Sequence, residues 1–325
     1  MSATSLPLKT RLFAAAFRVL IKPPHGAADM IALRARRERL LHGPAGRWIF
    51  GGTAPDVRVH QRTADDLRLL VYTPRGGGET PRPVVVDFHG GGFCLGSPEQ
   101  TRWLASRVAA RVGAVVVTPA YRLAPEHPYP AAVQDAWTAL RWVHAHAAEL
   151  GGDPDRLAVM GDSAGATLAA VAALRARDEG RPALRGQVLI YPAVEMYERW
   201  PSEAANANAP VLTSALMHTF ARLYLADAHG TTDWQVSPIR ATDHTGLPPT
   251  LILTAGHDPL HDHGTRYART LTEAGVRVEL VDDPRAVHGF LALPGVVTGA
   301  RAGLAQVTRF LTTVLAADDQ AHLAR

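Results

Sequence analysis

The stretch Leu157-Ala158-Val159-Met160-Gly161-Asp162-Ser163-Ala164-Gly165 decides how this chain is read. Four apolar residues run as a strand into a serine flanked by glycines, and an Ala/Leu-rich stretch with helical character follows from Thr167 to Leu174. So sharp a strand-to-helix turn forces strained torsions on the serine and brings backbone against backbone, so only small residues fit beside it. It also lifts the hydroxyl clear of the sheet. A Gly-x-Ser-x-Gly sequence can arise by chance in a chain with 28 glycines. The strand before it and the helix after it give the match its meaning.

From Asp56 onward, short β-rich runs alternate with helical patterns. That is the arrangement of a mostly parallel sheet with helices on both faces, an α/β fold. Candidate strands begin at Val57, Leu67, Val84, Val115, Leu157, Val188, Leu251 and Val276. The runs Val84-Val85-Val86, Val115-Val116-Val117 and Leu251-Ile252-Leu253 are continuously apolar, as strands covered on both faces should be. Ser97, Pro98 and Gln100 form a capping signature for a helix that Gly113 ends. Further helices are expected after Pro130 (Val133, Trp137, Leu140), before Gly275 (Tyr267, Leu271) and near the C-terminus (Leu304, Val307, Phe310, Leu311, Val314). Each carries an apolar stripe that belongs to the core.

Two segments stand outside this alternation. Residues 1–50 read as amphipathic helix, and residues 193–238 as a partly helical insertion with Leu216, Phe220, Leu223 and Tyr224 on one face. The expected organisation is a core of residues 51–192 and 239–325 under a helical cap built from residues 1–50 and 193–238.

A serine hydroxyl is a weak nucleophile until a base takes its proton, so a histidine and an orienting carboxylate are sought downstream. Architectures of this kind carry them in the chain order Ser, Asp or Glu, His. Asp258 follows the apolar strand around Leu251, and His288 follows the strand that begins near Val276. Both stand at carboxyl ends of expected parallel strands, where α/β sites assemble. Asp262 and Asp283 compete for the acid, and His322 for the base.

His89-Gly90-Gly91-Gly92-Phe93 follows the buried strand that contains Val84. Its bare backbone N–H groups suit an oxyanion hole, with donors expected from Gly91, Gly92 and Ala164. Read alone, three glycines are more often a flexible turn. His257, His261 and His263 with Asp258 and Asp262 also invite a metal reading, but no second motif supplies further ligands.

Composition narrows the classes. The chain has 325 residues, 47% hydrophobic and 20% charged, with a net charge of +4. Lys9 and Lys22 are its only lysines, and the densest basic run, Arg34 to Arg39, is interrupted by Ala35 and Glu38. No continuous basic stripe points to nucleic acid. A single cysteine, Cys94, excludes an intrachain disulfide framework. Arg18 cuts short the apolar run Leu12 to Phe17, so neither a signal peptide nor a membrane span is expected, and the reading is cytoplasmic.

Taken together, His89 to Phe93, Tyr121-Arg122-Leu123-Ala124-Pro125-Glu126, Gly161 to Gly165, Ser237-Pro238, Asp258-Pro259-Leu260 and His288-Gly289-Phe290 occur in an order that resembles the hormone-sensitive-lipase-like group of α/β-hydrolases. The resemblance covers most of the chain. It implies the α/β-hydrolase fold, with an eight-stranded mostly parallel sheet, a cap made by the N-terminal helices and an insertion after the sixth strand. It also implies a serine carboxylesterase acting on short- to medium-chain acyl esters, with Tyr121 to Glu126 as a structural turn. The family commonly has Leu-Arg-Asp-Glu-Gly where this chain has Leu260-His261-Asp262-His263-Gly264, which leaves the start of that helix open.

On this reading Ser163 attacks a small ester, His288 serves as general base and Asp258 orients the imidazole, with no metal or organic cofactor. Turnover is expected to fall below about pH 6.5, where histidine ordinarily gains a proton. Phe93, Phe13, Phe17, Leu212, Phe220 and Tyr224 are candidates for an apolar acyl pocket, although ordinary cap packing explains each equally well. A non-catalytic ligand-binding module, an amide, lactone or acetyl hydrolase, and an acyl transferase are the alternatives. An open edge strand near Val276 could pair two copies as a homodimer.

Overall fold

The computed structural model describes residues 5–20, 24–76 and 81–317. Three helices come first, α1 (Leu8–Leu20), α2 (Ala27–His42) and α3 (Pro44–Phe50). The sheet is then entered through the antiparallel pair β1 (Val57–Ala64) and β2 (Leu67–Pro74). There follow β3 (Arg82–Phe88), α4 (Arg102–Val112), β4 (Val115–Pro119), α5 (Ala131–Ala145), β5 (Gly152–Asp162), α6 (Ala164–Asp178) and β6 (Leu184–Ile190). The insertion carries α7 (Pro201–Ala205) and α8 (Ser214–Leu225). The chain closes with β7 (Thr250–His257), α9 (His261–Glu273), β8 (Val278–Val287) and α10 (Ala300–Val314).

The strands lie in the order β1-β2-β4-β3-β5-β6-β7-β8. Only the β1/β2 and β2/β4 pairs are antiparallel; from β4 to β8 every pair is parallel. Alternation along the apolar strands feeds two cores. Val84, Val86, Val115, Val117, Leu157 and Val159 point to the face covered by α5 and α6. Val85, Val116, Ala158, Met160, Val188 and Leu251 point to the face covered by α4 and α10. Burying each such valine, leucine or methionine side chain contributes about 1.5 kcal/mol or more, which is why polar residues are absent from these runs.

Because β3, β5, β7 and β8 run parallel, their carboxyl ends share one edge of the sheet. The residues next in the chain are His89, Ser163, Asp258 and His288. Strand direction alone thus gathers the four segments that the sequence singles out.

Some expectations need correction. The capping signature at Ser97 makes no cap hydrogen bond, and Pro98–Thr101 is a 3-10 turn ahead of α4. Gln100 is buried, its Nε2 3.5 Å from the Gly90 carbonyl, so its amide serves the glycine loop instead of the helix end. The last strand starts at Val278 because the Val276 N–H closes α9 on Leu271 O at 3.0 Å. β5 and β6 begin several residues earlier than Leu157 and Val188. His261 does open a helix, with Asp262 in its first turn.

The N-terminal helices cap the molecule. Met30 of α2 is fully buried in the α5/α6 core, and Thr10 of α1 lies 3.4 Å from Thr298. From the insertion, Tyr224 and Leu225 are buried, and the Tyr224 carbonyl accepts from Tyr129 N at 2.7 Å. Among the described residues, no helix is long and apolar enough to cross a membrane.

Candidate active site

β5 ends at Asp162, and Ser163 turns the chain into α6 with φ 56° and ψ −119°. A non-glycine residue held there costs about 1–3 kcal/mol and needs surroundings that enforce it. The Ser163 N–H bonds Ile190 O at 2.9 Å, tying the bend to β6. A Cβ on Gly161 would strike the Gly165 carbonyl, and one on Gly165 would strike the Phe88 carbonyl. Both glycines are therefore required by close backbone approach.

The hydroxyl so presented has an imidazole beside it. His288 Nε2 lies 3.0 Å from Ser163 Oγ, and His288 Nδ1 lies 2.7 Å from Asp258 Oδ2. Asp258 is fully buried, and its second oxygen accepts from Leu260 N at 2.8 Å. An ionised carboxylate is tolerated in such a place only when its oxygens are satisfied. With Nδ1–H given to Asp258, Nε2 is the lone pair left to accept the serine proton. The Tyr191 ring stands 4.8 Å from the imidazole, and Asn206 Nδ2 of the insertion donates to Asp258 O at 3.2 Å.

Beside this chain the glycine loop bends back on itself. Cys94 N and Leu95 N both donate to Gly91 O, at 3.1 and 2.8 Å. Gly91, Gly92 and Phe93 have φ of 135°, 61° and 59°. Among the described residues, the N–H groups of Gly91, Gly92 and Ala164 donate to no acceptor. Such free amides can receive an oxygen that becomes negative. The loop is held from below by Asp162, whose Oδ1 accepts from Gly90 N at 2.7 Å. Burial raises the Asp162 pKa, and the Gly90 N–H opposes that rise.

His89 stacks on Tyr121 with ring centroids 4.2 Å apart. The Tyr121 hydroxyl donates to His89 O at 2.6 Å, which leaves His89 Nδ1–H for Gly90 O at 3.0 Å. Burial pushes the His89 pKa down to about 4, so it is neutral at physiological pH. Cys94 is fully buried, and burial pushes its thiol up to about 12, which makes it an inert filler of the core.

A family profile for the alpha/beta hydrolase fold matches residues 85–292. The chain belongs to the α/β-hydrolase family. The carboxylesterase NlhH of Mycobacterium tuberculosis is 42% identical over 298 residues, covering 88% of this chain and 91% of that protein. The ethyl acetate hydrolase of Pseudomonas putida is 36% identical over 258 residues, covering 79% and 81%. The hyperthermophilic esterase of the archaeon Pyrobaculum calidifontis superposes with a TM-score of 0.85 at 35% identity, covering 97% of this chain and 100% of that one. Within the α/β-hydrolases this is the carboxylesterase group that the motifs resemble.

The competitors for the hydrogen-bonded chain are otherwise engaged. Asp262 accepts from Ser202 N at 2.9 Å, and Asp283 from Arg285 N at 3.0 Å. His261 Nε2 lies 3.2 Å from Asp282, while His263 is buried edge-on to Trp200 at 4.7 Å. No group of three or more His, Cys, Asp or Glu able to hold a metal ion occurs among the described residues. His322 lies outside them.

The expected pocket residues divide. Phe220 covers Gly92 so closely that a Cβ there would enter the ring. Phe93 stacks on Tyr224 with centroids 3.8 Å apart. Phe13 packs on the other core face, with α4 and α10. Leu212 is buried, but its neighbour Val211, at φ 71°, is the residue set against Gly289. Phe17 belongs to α1, and its side chain lies outside the described residues. Asp162, Tyr191, Val211 and Asn206 are contacts that sequence reasoning missed. Asp162 alone carried a signal, as the charged residue inside the serine motif.

Proposed function

We infer that this α/β-hydrolase is a serine carboxylesterase in which Ser163 attacks the ester carbonyl and His288 takes its proton. Asp258 holds the imidazole tautomer and stabilises the imidazolium. The N–H groups of Gly91, Gly92 and Ala164 receive the oxyanion, and each such donor is worth about a hundredfold or more in rate. His288 then protonates the departing alcohol, and water attacks the acyl-enzyme by the same roles in reverse. One observation carries this reading: the unbroken hydrogen-bonded series Ser163–His288–Asp258 at 3.0 and 2.7 Å.

The acyl group is small to medium in size. Phe220 over Gly92, the Phe93/Tyr224 stack and Val211 beside Gly289 narrow the space around the hydroxyl. Ser163 itself keeps 8% exposure. The cap comprises residues 1–50 and 193–238 around a core of residues 51–192 and 239–325. A cytoplasmic location agrees with the single buried thiol. No nucleic-acid partner belongs to this reading, given the mixed charge. A second copy would pair at the edge strand β8, where Leu280 is 43% exposed, and sedimentation tests that dimer.

A panel of p-nitrophenyl esters from acetyl to octanoyl, with the matching anilides, tests the function. Esters with short acyl chains should turn over fastest and anilides far more slowly. Phe220→Ala should shift the preference toward longer acyl chains. Preferential anilide cleavage would contradict the esterase reading, and an unchanged profile in a stable Phe220 variant would remove that ring from the pocket.

A further inference from the structure

Arg34 stands on α2, in the cap, yet its guanidinium reaches the loop that carries the free glycine amides. Nε donates to Cys94 O at 2.9 Å, and Nη2 donates to Ala124 O at 2.6 Å. Nη1 and Nη2 also meet Glu126 Oε1 and Oε2, both at 2.9 Å, as a two-pronged pair. The Glu126 carboxylate is 40% exposed, so the ion pair by itself contributes little to stability. Cys94 and Ala124 are fully buried, and the bonds to their carbonyls are the shielded ones.

Those two carbonyls flank the glycine loop. Cys94 closes its turn through the bond from Cys94 N to Gly91 O, and Ala124 N donates to Phe93 O at 2.9 Å. Gly91, Gly92 and Phe93 are consecutive residues with positive φ, and for Phe93 that conformation costs about 1–2 kcal/mol. A turn of this kind keeps its shape only while its neighbours hold it. Glu126 fixes the plane of the guanidinium, so that Nε and Nη2 address both carbonyls at once. A lysine ammonium has no such fork and cannot make this set of bonds.

We propose that Arg34 is a positioning residue for ester hydrolysis, holding the oxyanion loop through the Cys94 and Ala124 carbonyls and thereby tying its geometry to docking of the cap helix α2. The proposal rests on the esterase reading above. Met30, one helical turn earlier, is fully buried and anchors α2 independently, so loss of Arg34 disturbs the loop before it disturbs the fold.

Arg34→Ala, Arg34→Lys and Glu126→Gln, assayed with p-nitrophenyl acetate and an aryl phosphonate inactivator, test this. Arg34→Ala should lower kcat about ten- to a hundredfold, the effect of a small displacement of reacting groups, with KM changed far less. The phosphonate inactivation rate should fall by the same factor, because it needs the same amides. Arg34→Lys restores a charge opposite Glu126 but not the carbonyl bonds, so its kcat should stay low while its thermal stability recovers. Glu126→Gln keeps an acceptor for the fork and should lose least. If kcat in the lysine variant matches wild type, or if Arg34→Ala changes only KM or melting temperature, Arg34 is a structural strap and the proposal is overturned. The lysine variant decides the matter should the alanine variant not fold. An inactive wild type would overturn the esterase reading itself.

Discussion

Ser163→Ala is expected to lower kcat by about three orders of magnitude or more, with the far-UV circular dichroism unchanged. The proposed attacking atom is lost, while the bend at φ 56° is held by Gly161, Gly165 and the Ser163 N–H bond to Ile190, none of which needs the hydroxyl. His288→Ala should cost as much, because the hydroxyl without its base at 3.0 Å is an ordinary alcohol. The two losses should not multiply. Residues that act as one unit leave the double variant about as active as either single one, with residual turnover supplied by binding and the free amides. Steady-state kinetics on the three variants reads this directly. A double variant far below both singles would mean that Ser163 and His288 act on separate steps.

Acid should destabilise the fold between about pH 6.5 and 4, and buried histidines supply much of the effect. His89 and His263 are both pushed down to about 4, chiefly by burial. In that window the unfolded chain binds a proton on each, and the folded chain does not. Stability therefore falls as pH falls. Each pKa unit corresponds to about 1.4 kcal/mol, so the pair together represents several kcal/mol, a large part of a typical folding free energy. Other groups also contribute. Asp87 and Asp162, raised by burial, act in the opposite sense, because the folded chain holds their protons more readily than the unfolded one. Glu99 adds to the trend below its ordinary range: burial would raise it, but the hydrogen bonds from Arg68 prevail and hold it at about 2.

The contribution of one histidine is isolated by His263→Leu. His263 Nδ1 makes no hydrogen bond, so an apolar replacement forfeits none there. Urea unfolding from pH 7 to 4 should show the variant's stability falling less steeply than wild type, by about 1.4 kcal/mol per pH unit in the middle of the window. Parallel curves would mean that His263 takes up its proton without unfolding.

The strands of the sheet were legible because valine runs such as Val84-Val85-Val86 have no other home than between two helical layers. The hydrogen-bonded trio was legible for a related reason. Parallel strands deliver their carboxyl ends to one edge, so a residue just past a strand has few places to be. What stayed hidden depends on contacts between distant segments. Gln100 read as a helix cap because nothing local says that its amide faces Gly90, ten residues away in sequence but adjacent in space. Val211 went unread because nothing local shows that it adopts a positive φ and stands beside Gly289. Arg34 read only as one charge in an interrupted basic run, although its partners lie 60 to 92 residues onward.

If Ser163 is the nucleophile, its hydroxyl oxygen is the atom that becomes acylated. Reaction with a p-nitrophenyl phosphonate, followed by mass spectrometry of the digested protein, locates that atom. The expected result is one adduct per chain, on the peptide carrying Ser163, formed in step with loss of esterase activity and greatly slowed in His288→Ala. Complete inactivation with the phosphonyl group on any other residue would mean that Ser163 is not the nucleophile.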